Sequence, residues 1–424
     1  MLGPVIFPVS IVKFKTLAIN SLLLGASSLV SLLLVLFSMK FIDKKLARPP
    51  VDLDAGHLVL AHDGQYTSGE IQKLRSEFSR PFRFKKVSWE EDLVNGDYVN
   101  KNSDGSRFTR GNEKCSDVPP RRRVWLFGGS TMYGYGVADE NTIPSQLASY
   151  LEANTGGSWC VKNFGRGSYN SSLELDELVS LLVEGKNEKP GFVIFLDGLN
   201  DLNQPMHYQF VPRANQISFS ERPSEIMVFL ALKVQRTISP LLASLGLESP
   251  LKTPLRVSRV VPTDTPACEK EVSSGAPGIK VSDACAERLD KAVKKIFANW
   301  AMARRILGTY GIKFMPVLQP VPSYPLDDPR RNHELLGAGG YAKSGISLSG
   351  YAYDLHKKGQ IGPGLYSSSE DTYLDASGLF SSRNKGGILR CNYYYVDPVH
   401  YTSCGSRIIA NYLGEAVISS TVKS

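Results

Sequence analysis

Four short blocks of this 424-residue chain carry residues that could do chemistry together. They are Gly128-Gly129-Ser130-Thr131, Asn163-Phe164-Gly165, Gly198-Leu199-Asn200-Asp201 and Asp397-Pro398-Val399-His400. A serine hydroxyl is a weak nucleophile until a base takes its proton. Neutral imidazole can do so near pH 7. Backbone N–H groups and an asparagine amide can hold the oxyanion that follows. These are the parts that acyl transfer needs. The Asp-x-x-His spacing recurs at Asp54 and His57, but that pair precedes every strand of the pattern and is read as incidental. His62, His207, His333 and His356 are read as surface or loop residues. No cluster suggests a metal, and no cofactor is called for.

The elements around these blocks alternate. VWLFG (124–128) is an apolar run ending in glycine, as a buried parallel strand should be. Ile143, Leu147 and Leu151 recur at helical spacing, with Thr142 placed to cap and Pro144 in the first turn. VKNFG (161–165) predicts a second strand, Leu173, Leu178, Leu181 and Leu182 a second helix, and FVIFLDG (192–198) a third strand. Strand, helix, strand, helix, strand with short links predicts a parallel sheet with right-handed crossovers. Ligands of such sheets bind beyond the carboxyl ends of the strands, where the first three blocks fall. The rhythm breaks over 203–285, read as an insertion. It resumes with Leu289, Val293, Ile296, Trp300 and Leu307, a core stripe, and with the strand KFMPVLQP (313–320). A second irregular stretch, 321–390, is rich in Gly, Ser and Tyr. Segments of this length are often lids or binding loops. A loop and a final helix close the chain.

The blocks in this order resemble the SGNH (GDSL-like) hydrolase family. The resemblance covers about residues 120–200 and 395–415, and the middle in outline. Gly-Gly-Ser-Thr stands where the family's Gly-Asp-Ser is usual. The resemblance implies a flavodoxin-like three-layer α/β/α sandwich. It implies Ser130 as nucleophile, Asp397 and His400 as acid and base, and Ser130, Gly165 and Asn200 as oxyanion donors. It also implies an ester-bearing substrate. Several relatives are membrane-tied and act on acetyl groups of extracellular polysaccharides. The expected activity is therefore a serine esterase cleaving ester groups, O-acetyl groups on cell-surface polysaccharide among them. An O-acyltransferase and an inactive membrane-tethered binding or assembly protein are the alternatives.

The N-terminus sets the expected location. Thr16 to Met39 holds no charged residue across 24 positions, and a helix of about 20 apolar residues spans a bilayer. The chain divides into a tail (1–15), a transmembrane anchor (16–39), a juxtamembrane region (40–118) and a hydrolase-like domain (119–420). Six basic residues against one acid within 1–50 supply most of the formal +8. The nearly balanced remainder excludes the basic face of a nucleic-acid binder. The charges flanking the anchor lean weakly towards an inside body. The cysteines point outside.

Those cysteines are Cys115, Cys160, Cys268, Cys285, Cys391 and Cys404, with no CxxC pair. An even, widely spaced set suits disulfides in an oxidising compartment. With the strand order the resemblance implies, Cys115 and Cys160 come together at the amino-terminal edge of neighbouring strands. Cys391 and Cys404 bracket Asp397 and His400, and Cys268 and Cys285 remain. The domain is expected to be periplasmic or extracellular.

Overall fold

The computed structural model of the chain describes residues 65–78, 82–84, 89–91, 95–110, 112–185, 189–203, 282–322, 324, 346–362, 372–381, 391, 393–397 and 399–422. The expected tail, the anchor at 16–39, nearly all of the 203–285 insertion, Asp54, His57, His62, His207, His333 and Cys268 lie outside the described residues. Among the described residues, no helix is long and apolar enough to cross a membrane.

In chain order the elements are α1 (Ser68–Phe78), β1 (Phe82–Phe84), β2 (Trp89–Glu91), β3 (Arg123–Gly128), α2 (Ser130–Tyr133) and α3 (Ile143–Thr155). Then come β4 (Cys160–Asn163), α4 (Ser171–Glu184), β5 (Phe192–Asp197), α5 (Leu199–Asn203) and α6 (Asp283–Gly308). The chain continues through β6 (Lys313–Leu318), α7 (Ile346–Lys357), β7 (Leu374–Asp375) and α8 (Ser403–Val422). Strands β3 to β7 form one sheet in the order β4-β3-β5-β6-β7, every neighbouring pair parallel. Strands β1 and β2 pair antiparallel in a separate ribbon.

The sheet is covered on both faces, which is why its strands read as unbroken apolar runs rather than alternating ones. Side chains of a strand alternate between faces. Trp125, Phe127, Val193 and Phe195 therefore pack with the apolar stripes of α4 and α6. Val124, Leu126, Ile194 and Leu196 point the other way, into a core with Leu147, Leu151, Ile409 and Leu413 from α3 and α8. The expected stripe on α6 is buried throughout, from Leu289 to Leu307. Thr142 caps α3, its side chain accepting from Ser145 N–H.

Two expectations change. The stretch 321–390 is not irregular throughout, because α7 crosses it and buries Ser349, Ala352 and Tyr353. It also buries Leu355, which with Ala352 and Tyr353 joins the core on the α4 and α6 face of the sheet. His356 accordingly sits on a helix, half-buried between Phe297 and Tyr373, and not in a loop. The boundary at 118 also falls inside packed structure. Residues 95–110, read as part of a polar juxtamembrane region, place Val99, Ser106, Arg107 and Thr109 fully out of solvent.

Candidate active site

The β3 strand ends at Gly128, and the chain turns at once into the four-residue helix α2, whose first residue is Ser130. This puts the hydroxyl at the carboxyl edge of the sheet. Gly129 leaves room there for the Asn200 amide. A Cβ on it would lie 2.2 Å from Asn200 Nδ2 and 3.2 Å from the Tyr169 carbonyl.

From the far end of the chain, the loop 394–402 reaches the same edge. Val396 N–H donates to the His400 carbonyl at 2.8 Å, and Thr402 N–H to the Tyr394 carbonyl at 3.0 Å. The Cys391–Cys404 disulfide closes the loop. Within it, Asp397 Oδ1 accepts from the N–H groups of Val399 and His400, both at 2.8 Å. Its other oxygen, Oδ2, lies 2.6 Å from His400 Nδ1, and His400 Nε2 lies 2.9 Å from Ser130 Oγ. The structure thus brings Ser130, His400 and Asp397 into one hydrogen-bonded line across 270 residues of sequence. Burial works to raise the Asp397 carboxyl. The neighbouring His400 and the three hydrogen bonds outweigh it and hold the group below its ordinary value. Tyr135 stacks on the imidazole, with centroids 5.6 Å apart and planes at 25°.

Asn200 lies beside Ser130 through its contact with Gly129. Its Nδ2 donates to the Tyr169 carbonyl at 2.6 Å, and the amide has a second hydrogen to offer. Ser130 N–H opens α2, where helix N–H groups have no intrahelical partner. Gly165, the third expected donor, stands two residues beyond β4. It packs against the backbone of α2, where a Cβ would meet Tyr133 N at 2.4 Å. Its N–H donates to Asn163 Oδ1 at 3.0 Å, so it is already engaged. Asn163 also donates to the carbonyls of Met132 and Tyr133. Sequence reading passed over this asparagine, although it stands in the quoted Asn-Phe-Gly block.

Asp201, next to Asn200 in the chain, is buried, as are Asp197 and Glu174. Asp201 accepts from both Ser171 N–H and Ser171 Oγ–H, tying α5 to the start of α4. Trp300 Nε1 donates to Asp197 Oδ2 at 2.5 Å. Burial pushes the carboxyls of Asp197 and Glu174 well above the usual range, and the neighbouring acids push them further. Two disulfides join described cysteines, Cys115–Cys160 and Cys391–Cys404. Cys285 is also disulfide-bonded. Among the described residues there is no group of three or more His, Cys, Asp or Glu that could hold a metal ion.

No protein-family model and no curated protein matches the chain. Solved structures do. A lipase/acylhydrolase from Enterococcus faecalis aligns with 70% of this chain and 96% of its own, at 11% identity and a TM-score of 0.31. A GDSL-like lipase from Bacteroides thetaiotaomicron aligns with 72% and 94%, at 13% identity and 0.28. A carbohydrate acetylesterase from Sinorhizobium meliloti aligns with 70% and 99%, at 13% identity and 0.29. The structural neighbours are thus GDSL-type lipolytic hydrolases and acylhydrolases of low sequence identity.

Proposed function

We propose that the chain is a serine esterase of the SGNH type. The observation that carries this reading is the continuous line from Ser130 Oγ through both nitrogens of His400 to Asp397. Asp397 accepts the Nδ1–H of the ring, which leaves Nε2 with its lone pair facing the serine. His400 takes the Ser130 proton as Oγ attacks the ester carbonyl. The oxyanion is held by Ser130 N–H and by the second N–H of the Asn200 amide. Gly165 N–H joins them only by leaving Asn163 Oδ1. His400 then returns its proton to the departing alkoxide, and water attacks the acyl-enzyme by the same route reversed. A merely structural protein has no need of this line, so an inactive binding role is disfavoured.

In this reading the substrate is an O-acetyl group on a sugar hydroxyl of a cell-surface polysaccharide. The chain is held to the membrane by residues 16–39, with the domain outside the cytoplasm. Support for the compartment comes from the disulfides, which persist where the milieu is oxidising. A fluorophosphonate probe tests the chemistry. The intact chain should be labelled and Ser130→Ala should not, whereas equal labelling of both would end the esterase reading. A p-nitrophenyl ester series tests the acyl group: hydrolysis should be fastest at acetate, and faster turnover of a decanoate would remove the acetyl assignment.

A further inference from the structure

Arg107 comes from the segment ahead of the sheet, yet none of it is exposed to solvent. Its backbone N–H donates to the Asn163 carbonyl at 2.9 Å, so it rides on the end of β4. Its Nε donates to Asp139 Oδ1 at 2.8 Å. Its Nη1 donates to the carbonyls of Tyr133 at 2.8 Å and Gly134 at 2.7 Å, and its Nη2 to the Val137 carbonyl at 2.8 Å. Those three carbonyls all belong to the turn that leaves the Ser130 helix.

That turn has little stiffness of its own. Gly134 and Gly136 both hold positive φ, 91° and 89°, a region glycine visits freely and gives up entropy to keep. Its other side touches the histidine loop at two points. Tyr135 stacks on His400, and a Cβ on Gly136 would sit 2.7 Å from Val396 Cγ2. Phe78 of α1 stacks on the opposite flank of Tyr135 at 4.9 Å. The Arg107 guanidinium lies 5.3 Å from the Phe78 ring and 5.1 Å from the Tyr133 ring.

We infer that Arg107 is a positioning residue for the Ser130–His400 pair: its guanidinium fixes the 133–137 turn, and the turn, through Tyr135, fixes the imidazole ring. The inference rests on the esterase reading. A planar fork suits this task, since one rigid group meets four acceptors in set directions. A lysine ammonium has no such geometry.

The test uses the full-length chain with Arg107→Met, Arg107→Lys, Tyr135→Leu, Tyr135→Phe and Ser130→Ala. The fluorophosphonate labelling rate, kcat and KM for p-nitrophenyl acetate are measured well below each variant's melting transition. Arg107→Met should lose roughly 3- to 10-fold in kcat, no more than loss of the Tyr135 ring face through which it acts. Labelling should fall in step while KM holds, and Arg107→Lys should recover only part of the loss. Tyr135→Leu should lose roughly 3- to 10-fold, as expected for loss of an aromatic face under a developing cation. Tyr135→Phe should restore the rate. A folded Arg107→Met with parental kcat and labelling overturns the inference, as does a loss confined to KM. Should Arg107→Met fail to fold, the Tyr135 pair decides, and parental turnover in Tyr135→Leu overturns it. Labelling of Ser130→Ala at the parental rate is a separate outcome, which ends the esterase reading and this inference with it.

Discussion

Asp397 shows how much one carboxylate is asked to do. One oxygen holds the His400 ring, and the other holds the loop backbone at Val399 and His400. These bonds favour the charged form and depress its pKa. The folded value is therefore below the unfolded one, near 3.9 for a free aspartate. The stability it contributes is fully present above that value and is lost as pH falls through the lower folded value. Asp397→Asn should thus flatten the dependence of unfolding free energy on pH below about pH 4. Urea titrations at several pH values check this, and an unchanged slope would separate the carboxylate from loop stability. Asn200 is the other testable residue. Asn200→Ala should lower ester turnover by about 100- to 1000-fold, the usual loss on removing one oxyanion donor. Circular dichroism should match the parent, and undiminished turnover would take Asn200 out of the mechanism.

Among the described elements, the loop that carries Asp397 and His400 has little regular structure. It has an isolated bridge between Tyr395 and Tyr401 and an aromatic footing in Phe380, which stacks on Tyr394 at 4.6 Å. The Cys391–Cys404 bond closes it over a sequence separation of 13. In the chain-entropy view, a loop of this length gains about 3 kcal/mol from closure. Replacing both cysteines by serine should lower the unfolding free energy by about that much. On the proposed mechanism it should lower kcat more than KM, because Asp397 and His400 ride on the loop. Calorimetry with steady-state kinetics checks both. Parental kcat in the double variant would show that the aromatic footing alone sets the loop. Helix α7 carries a different lesson. Its buried residues include Ser349, Ala352, Tyr353 and Leu355, and the serine and alanine interrupt what would otherwise register as an apolar stripe. The strands were legible because both faces are buried, and β7 was not, because two residues make no pattern.

At the scale of the whole molecule, the described residues ahead of the sheet pack with the body that carries Ser130 and His400. Glu77 accepts the N–H groups of Asp97, Tyr98 and Val99. Glu91 accepts Gly167 N–H in the loop beside Gly165, and Arg107 donates to the carbonyls of Tyr133, Gly134 and Val137. A chain beginning at residue 41 should lack the proposed anchor, stay in the soluble fraction and keep its labelling by fluorophosphonate. A chain beginning at residue 119 should be unlabelled. It leaves Asp139 buried without its arginine, and breaking a buried pair costs roughly 3–5 kcal/mol. Equal labelling of the two would show that residues 41–118 are dispensable.

The sequence by itself determined the alternating α/β order, the parallel sheet and the identity of Ser130, Asn200, Asp397 and His400 as the groups to watch. Each of these depends on local pattern: apolar runs that end in glycine, helical stripes, and residue types at strand ends. Tertiary structure alone decided which groups meet. Pairing of Gly165 N–H with Asn163, the stack of Tyr135 on His400 and the burial of Arg107 join residues far apart in the chain or depend on backbone direction. Arg107 sits in a polar stretch, VNKNSDGSRFTRG, that reads as solvated loop. Its four hydrogen bonds go to carbonyls and one carboxylate that only the folded turn gathers. A guanidinium is buried when its acceptors are brought to it, and that arrangement has no signature in the order of the residues.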